Sequence, residues 1–156
     1  MLKRWKKISS QLKEDNTFWK YSSDIFELPS GERQEYFYGE INDGALVVPV
    51  LDDGRLVLVM QYRYLRDKQS VGFPKGRLLS GESAQVGAER EMREEIGFTS
   101  SNFVKTGSFD SLDSHFKETM HIFVADELSQ VPKPPAETTE DVEVIIRRVE
   151  EFEEMI

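Results

Sequence analysis

The stretch of sequence that decides the fold is GRLLSGESAQVGAEREMREEIGF, which covers residues 76–98. Its spacing predicts a helix over 83–96, with Ser83 as the N-cap residue, or Ser80 one turn earlier, and Gly97 as the stop. Small and apolar side chains recur every four residues on one face of this helix, at Ala84, Ala88, Met92 and Ile96. Such a face is typical of a helix that packs against a sheet.

Three glutamates border that apolar face. Glu91, Glu94 and Glu95 occupy positions i, i+3 and i+4, so their side chains share one ridge of the helix. Carboxylates about 6 Å apart repel by about 3 kcal/mol per pair at an effective dielectric constant near 20. A divalent cation removes this repulsion, because hard cations take oxygen ligands. The alternative is an ordinary charged helix face, in which Arg90 and Arg93 are the partners of the glutamates.

The pattern from Gly76 to Phe98 resembles the Nudix box and agrees with it at every fixed position. The resemblance extends from about Thr17 to the C-terminus. It implies an α+β fold, an α/β/α sandwich on a mixed β-sheet, in which residues 76–98 form a loop–helix–loop. It also implies hydrolysis of a nucleoside diphosphate linked to another moiety, with Mg²⁺ or Mn²⁺ as the cofactor.

The same resemblance gives roles to individual residues of the box. It implies that the metal is held by three carboxylates and one backbone carbonyl, those of Glu91, Glu94, Glu95 and Lys75. The structural residues of the box are Gly76, Glu82, Arg90 and Gly97. On physical grounds, glycine at position 76 lets the backbone turn closely, and the planar guanidinium of Arg90 is suited to hold carboxylates in place.

Outside the box, Gln61-Tyr62-Arg63 follows a predicted buried strand. This arrangement is similar to that of the ADP-ribose and nucleoside diphosphate sugar pyrophosphatases. The similarity implies that Arg63 contacts the diphosphate and that the N-terminal hairpin crosses to a partner subunit in a homodimer. The reaction expected is hydrolysis of the diphosphate bond of ADP-ribose or another nucleoside diphosphate sugar, which yields a nucleoside monophosphate and a sugar phosphate.

The carboxylate that accepts a proton from the attacking water has several candidates. Glu140 follows a proline-rich loop and matches the loop carboxylate of the same group, with Glu137 as a nearby substitute. Glu118, just before a predicted strand, is the second candidate. A carboxylate that binds metal has lowered basicity, so Glu94 of the box takes this role only if neither loop residue does.

Two other functions are open. The stretch Gly72-Phe73-Pro74-Lys75 is closer to the diadenosine polyphosphate hydrolases, so the same chemistry on a dinucleoside polyphosphate or a nucleoside triphosphate is one alternative. The other is a Nudix-like module that binds a nucleotide and regulates a partner without turnover. The intact glutamate triad counts against such a module, because a non-catalytic domain has no use for that repulsion.

Strand and turn signals surround the helix. Aromatic and β-branched runs on either side of Pro29-Ser30-Gly31-Glu32 predict a β-hairpin over residues 17–41. A second hairpin is predicted from residues 45–51 and 55–62, which flank the turn Asp52-Asp53-Gly54. The hairpin over 17–41 is the element expected to form the homodimer.

The rest of the chain is predicted as loops, short strands and one final helix. Residues 64–70 and 76–81 are predicted to be loops. Further strands are expected at 71–73, 102–110, 119–126 and 141–149, followed by a helix that begins at residue 150. Residues 1–16 are a lead-in, and the chain is predicted to form one domain over residues 1–156.

Composition limits the class of protein. The 156 residues include 20 Lys+Arg, 29 Asp+Glu and no cysteine, so the formal net charge is −9. An acidic chain is unsuited to nucleic acid, which recruits basic surfaces, and no apolar run is long enough to span a membrane. The lack of cysteine excludes disulfides and thiolate sites and fits a reducing cytoplasm. Composition thus argues against nucleic acid and membrane as partners and fits a cytoplasmic protein, and the Nudix resemblance implies a small nucleotide substrate.

Overall fold

The computed structural model describes residues 3–135 and 142–155. Its strands and α-helices are, in chain order, β1 (Lys6–Asp15), β2 (Lys20–Glu27), β3 (Arg33–Glu40), β4 (Gly44–Pro49), β5 (Leu56–Arg63), β6 (Lys68–Gly72), β7 (Lys75–Arg77), α1 (Ala84–Ile96), β8 (Phe98–Asp110), β9 (Phe116–Lys117), β10 (Thr119–Gln130), β11 (Val142–Arg147) and α2 (Val149–Glu153). A 3₁₀ turn, Tyr64–Arg66, joins β5 to β6. Within the described ranges, neither α-helix has the length and apolar character needed to cross a lipid bilayer.

Chain packing defines two compact units. The first contains Met1–Asp43 and Phe109–Thr119, and the second contains Gly44–Ser108 and Met120–Ile156. The single domain expected over residues 1–156 stays a prediction.

The first unit is built on a four-stranded sheet with the order β1-β2-β3-β9. Strands β2 and β3 form the hairpin predicted over residues 17–41, with Gly31 at a φ of 88° in the turn between them. Residues 1–16, expected to be a lead-in, contain β1, which pairs antiparallel with β2. All ten residues of β1 are exposed, so this strand has no apolar alternation by which its sequence could be recognised.

The second unit contains a mixed sheet, β7-β4-β10-β8, and an antiparallel sheet, β11-β5-β6. The hairpin predicted from residues 45–51 and 55–62 is wrong, although its turn forms, with the amide of Gly54 bonded to the carbonyl of Leu51 at 2.8 Å. Strands β4 and β5 lie in different sheets because β4 pairs with β10 on one side and β7 on the other. An isolated bridge, Val50 to Leu56, flanks this turn.

Two further segments differ from the sequence-based expectation. Residues 64–70 were expected to be a loop, yet β6 begins at Lys68 and pairs with β5. Similarly, the expected loop over residues 76–81 begins within β7, which pairs with β4. Strand β6 lies at the edge of its sheet, where polar residues are common, so its polar sequence reads like a loop.

The second unit has helices on both sides of its strands. On one side, α1 packs against alternate residues of β4 and β5, in a core that contains Ala45, Val47, Val57, Val59, Ala88, Met92 and Ile96. On the other side, Phe152 of α2 packs in a core that contains Leu56, Leu58 and Ile145. Because adjacent residues of β5 point to opposite faces, one strand serves both cores. This layering confirms the predicted α+β class and α/β/α sandwich.

One carboxylate ties together the strands of the first unit. Asp24 of β2 is bonded to Lys7 at 2.7 Å, to the hydroxyl of Ser10 at 2.6 Å and to the hydroxyl of Tyr38 at 3.0 Å. Burial by itself raises the pKa of Asp24, but the hydrogen bonds from Lys7, Ser10 and Tyr38 outweigh it and hold the pKa below its ordinary value of 3.8. The ionised form of Asp24 therefore stabilises the pairing of β1, β2 and β3.

We expect Asp24→Asn to lower the free energy of unfolding by about 1–2 kcal/mol at pH 7, because charge-assisted hydrogen bonds are lost. A depressed pKa contributes stability that is present above pH 4 and is lost as the pH falls through the folded-state pKa. Urea unfolding of wild type and variant should therefore differ at pH 7, and the difference should shrink as the pH falls below the ordinary carboxyl pKa, because Asp24 becomes protonated.

Asp15→Asn is the matched control, since Asp15 of β1 has an ion pair with Lys20 at 3.3 Å and its side chain is 48% exposed. Exposed pairs contribute little, so this variant should unfold like wild type. Equal destabilisation by the two variants, or a loss for Asp24→Asn that persists at low pH, contradicts the interpretation.

Candidate active site

Helix α1 is placed by its caps and by its buried face. The hydroxyl of Ser83 accepts a hydrogen bond from the amide of Val86 at 3.3 Å, which makes Ser83 the N-cap residue. At the other end, Gly97 has a φ of 71°, and its amide is bonded to the carbonyl of Arg93. Ala88 and Met92 are fully buried, so packing fixes the rotation of the helix about its axis. That rotation decides where the glutamate ridge points.

Glu91 lies directly against Gly76 of β7. A Cβ atom at position 76 would lie 2.0 Å from Oε1 and 2.4 Å from Oε2 of Glu91. A side chain at position 76 would displace the carboxylate of Glu91, so glycine here allows Glu91 to approach the backbone closely. The structure thus brings the first glutamate of the ridge against β7, the strand that precedes the helix.

Glu95 is held by the same segment of backbone. Its Oε2 accepts a hydrogen bond from the amide of Lys75 at 2.9 Å. Since Glu91 contacts position 76 and Glu95 contacts position 75, the two carboxylates lie along the start of β7. The backbone of Lys75, predicted to supply a carbonyl to the metal, is therefore adjacent to the predicted carboxylate ligands.

Arg90 lies among three of the carboxylates. Its Nε and Nη2 donate to Glu82 at 3.0 and 2.9 Å, and its Nη1 donates to Glu91 at 2.6 Å and to Glu94 at 3.1 Å. The guanidinium is mostly buried, with 17% of the side chain exposed. The hydrogen bond to Glu82, followed by those to Glu91 and Glu94, raises the pKa of Arg90 above its ordinary value, and Arg90 lowers the pKa of Glu82.

The backbone of the segment before the helix completes this arrangement, and residue type alone does not reveal that contribution. The carbonyl of Arg77 accepts from Nη2 of Arg90 at 2.9 Å, and the amide of Leu79 donates to Glu82 at 2.8 Å. Backbone groups carry no residue-type signal, so these two partners were missed. Gly87 was also missed; a Cβ there would lie 2.4 Å from the side chain of Leu78. A glycine inside a predicted helix is a signal that could have found it.

The other predicted residues lie outside this cluster. Arg63 is exposed at the end of β5, where it is paired with Lys68 of β6, and its side chain forms no hydrogen bond or ion pair with the described residues. Glu118, in the first unit, accepts a hydrogen bond from the hydroxyl of Ser111. Glu140 and its substitute Glu137 lie outside the described residues.

The ridge offers the oxygen ligands of a cation site, but its carboxylates do not converge on one point. Among residues 3–135 and 142–155, no three His, Cys, Asp or Glu side chains form a group that could hold a metal ion as placed. Glu91 and Glu94 face Arg90, whereas Glu95 faces the amide of Lys75. The repulsion noted in the sequence is thus offset by Arg90 and by a backbone amide.

The charge of the cluster still fits a divalent cation. Four carboxylates, those of Glu82, Glu91, Glu94 and Glu95, stand against the one guanidinium of Arg90, which leaves a formal charge of −3. All the side-chain donors are oxygens, which hard cations prefer. The residues present therefore fit Mg²⁺ or Mn²⁺ in type and charge.

Comparison with known proteins identifies the family of the chain. Residues 41–155 match the model of the NUDIX domain. The chain is 32% identical over 109 residues to the ADP-ribose pyrophosphatase of Bacillus subtilis (strain 168), a match that covers 70% of this chain and 58% of that protein. It is 33% identical over 86 residues to the ADP compounds hydrolase NudE of Escherichia coli (strain K12), which covers 55% of this chain and 46% of that protein. The chain thus spans about half the length of these relatives.

A solved structure confirms the fold. The crystal structure of an ADP compounds hydrolase superposes with a TM-score of 0.86 and 23% sequence identity, over 99% of this chain and 83% of that chain. Together with the match over residues 41–155, which is most of the sequence, this shows that the chain belongs to the NUDIX domain family.

Proposed function

We propose that this chain hydrolyses the diphosphate bond of a nucleoside diphosphate sugar, of the ADP-ribose type, to a nucleoside monophosphate and a sugar phosphate. The observation that carries the proposal is the ridge of Glu91, Glu94 and Glu95 packed on the backbone at Lys75 and Gly76. The names of the Bacillus subtilis and Escherichia coli relatives, which refer to ADP-ribose and ADP compounds, support this class of substrate.

The residues proposed to hold the cofactor are Glu91, Glu94, Glu95 and the carbonyl of Lys75. A bound Mg²⁺ or Mn²⁺ supplies neutralisation of the diphosphate charge and makes water more acidic. Arg90 is a positioning residue in this proposal, because its bonds to Glu82, Glu91 and Glu94 orient the carboxylates without substrate contact. Gly76 leaves room for the carboxylate of Glu91.

The chemical step needs a nucleophile and a base. A water attacks one phosphorus, the anhydride P–O bond breaks, and a carboxylate accepts the proton that the water loses. Glu140 and Glu118 are the proposed bases, since the carboxylates of the box are assigned to the cation, and Glu94 is the reserve. Arg63, exposed and without an ion pair among the described residues, is proposed to contact the diphosphate.

The diadenosine polyphosphate alternative rested on Gly72-Phe73-Pro74-Lys75. In the fold, Phe73 packs against Phe152 with 5.0 Å between ring centroids, and Pro74 is fully buried. The carbonyl of Pro74 accepts a hydrogen bond from the amide of Val47 at 2.9 Å. These residues are engaged in packing, so their identity carries little information about substrate. This favours the sugar nucleotide over a dinucleoside polyphosphate or nucleoside triphosphate.

The lack of cysteine supports a cytoplasmic setting.

The metal assignment predicts a large effect of Glu95→Gln. Glutamine keeps an oxygen for the amide of Lys75 but removes the charge, so the fold should survive. We expect a fall in turnover of at least about 100-fold with saturating Mg²⁺, the scale of one lost electrostatic contact in a transition state. The assay is chromatographic separation of nucleoside monophosphate from a panel of sugar nucleotides and dinucleotides.

Glu89→Gln is the matched control for this variant. Glu89 lies on the same helix and is exposed, and among the described residues its side chain accepts a hydrogen bond from Gln85 at 2.9 Å. The turnover of Glu89→Gln should therefore stay near wild type. Near-normal hydrolysis by Glu95→Gln would falsify the metal assignment. Nucleotide binding without turnover of any panel member by wild type would support the non-catalytic module instead.

Two further variants test which carboxylate is the base. We expect Glu140→Gln to lower kcat by about 10² to 10⁴, the usual range for general base catalysis, with a far smaller change in KM. Steady-state kinetics of Glu118→Gln provides the comparison. If Glu118→Gln carries the loss of kcat and Glu140→Gln does not, the base lies in the segment that precedes β10. If neither variant is impaired, a box carboxylate such as Glu94 accepts the proton.

We further propose a homodimer formed through the hairpin of the first unit. Exposed apolar side chains in this unit support the homodimer. Phe18 is 69% exposed and Phe37 is 47% exposed. Surfaces of this kind mark association sites. Light scattering at micromolar protein should give about twice the chain mass of 18.1 kDa. A monomer with full activity at assay concentrations is the result that rules the homodimer out.

A further inference from the structure

The tip of the hairpin formed by β5 and β6 projects an apolar apex. Its turn, Tyr64–Arg66, contains no buried residue. Tyr64 is 82% exposed and Leu65 is 92% exposed, the largest exposed fractions among the large apolar residues of the described chain. Exposure of two adjacent large apolar side chains to water is unfavourable in free energy, and burial against a partner surface would relieve it.

Basic residues flank this apex. Arg63, Arg66 and Lys68 are all exposed, and within residues 3–135 and 142–155 none of them forms an ion pair. They stand within six residues of one another in a chain whose formal net charge is −9. Asp67 is the one acidic residue among residues 63–68, so the tip has a formal charge of +2 and is a local positive surface on an acidic protein.

The tip is also held in a defined shape. Asp67 has a φ of 49°, and its amide is bonded to the carbonyl of Tyr64 at 3.2 Å. Its carboxylate accepts a hydrogen bond from the hydroxyl of Tyr62 at 2.9 Å. A preorganised loop loses little conformational entropy on docking.

The first unit carries a groove with complementary properties. The groove has a volume of about 420 Å³, and the apolar side chains of Ile41 and Phe116 form part of its wall. The charged residues that line it are Glu40, Asp43, Asp110, Asp113, Lys117 and Glu118. Lys117 is paired with Glu40, so the remaining charge of the lining is negative. A groove of this size accommodates a few large side chains.

We propose that the hairpin tip of one copy docks into this groove on a second copy of the chain. Leu65 and Tyr64 enter between Ile41 and Phe116, and Arg66 and Lys68 face the carboxylates of the rim. The contact rests on the homodimer proposed above and not on the hydrolytic activity. If the two copies are related by a two-fold axis, the contact occurs twice, because a two-fold interface is self-complementary.

Other occupants fit the tip less well. Small ligands bind in concave sites, whereas this apex is convex and nearly fully exposed. An anionic membrane attracts the three basic residues but repels a protein of net charge −9. The second copy offers both an apolar wall and excess negative charge.

Charge exchange between the two surfaces tests the contact. The tip variant is Arg66→Glu with Lys68→Glu, and the groove variant is Asp110→Lys with Asp113→Lys; neither touches Arg63 or Glu118. By analytical ultracentrifugation, each variant alone should raise the dimer dissociation constant at least about 10-fold, and an equimolar mixture should restore it, because both contacts of the mixed dimer again join opposite charges. A contact within one chain cannot be restored by mixing.

The apolar apex has its own variant and controls. Leu65→Asp should weaken the dimer about 10-fold or more, as loss of a central anchor does. Val104→Asp and Lys105→Glu place the same changes on other exposed residues of the second unit and should leave the dissociation constant unchanged. Circular dichroism checks that every variant is folded.

Several results overturn the proposal. Wild type that remains monomeric removes both the dimer and the docking. A wild-type dimer that is unaffected by the tip and groove variants removes the docking alone, as does a mixture that fails to restore association. Vesicles of phosphatidylserine are the final arm: tip-dependent sedimentation with the vesicles, with an unchanged dimer, assigns the tip to a membrane surface instead.

Discussion

The contact of Arg90 with three carboxylates is the interaction on which the site depends. Glu82 comes from the loop, whereas Glu91 and Glu94 come from the helix, and one guanidinium binds all three at 2.6 to 3.1 Å. Without a cation at this place, the carboxylates of the ridge would repel one another in a partly buried setting. Arg90 therefore joins the loop to the helix and offsets the repulsion between the carboxylates when no metal is bound.

The same contact has a consequence for cofactor binding. Because Arg90 supplies one positive charge against four carboxylates, the cluster keeps a formal charge of −3. In the proposed cofactor site, a divalent cation would compete with Nη1 of Arg90 for Glu91 and Glu94, whereas Glu82 is bonded to Nε and Nη2. The geometry thus divides the carboxylates into one that anchors the arginine and others that remain available to exchange partners.

The sequence predicted the parts of this molecule that depend on local pattern. The caps at Ser83 and Gly97 and the buried face through Met92 are set by residue type and helical spacing, and all three are found in the fold. The paired strands of the hairpin over residues 17–41 were visible from aromatic and β-branched runs. The carboxylate ridge was visible because i, i+3 and i+4 positions must share a helix face.

What could not be predicted depends on partners distant in sequence. Strand β1 has ten exposed residues and owes its order to pairing with β2. The turn at Gly54 looked like a hairpin, but β4 pairs instead with β10, more than seventy residues later. At the site, the carbonyl of Arg77 and the amide of Leu79 are backbone groups with no residue signature. Arg90 was recognisable as a partner of the helix glutamates, but helical spacing could not show that Glu82 of the loop shares the same guanidinium.

The most direct test of the central claim is anomalous diffraction from crystals grown with Mn²⁺. If the ridge is the cofactor site, an anomalous peak lies within bonding distance of carboxylate oxygens of Glu91, Glu94 and Glu95 and of the carbonyl of Lys75, while Arg90 stays bonded to Glu82. A ridge that remains paired with Arg90, with manganese bound elsewhere or nowhere, contradicts the claim that these carboxylates form the metal site.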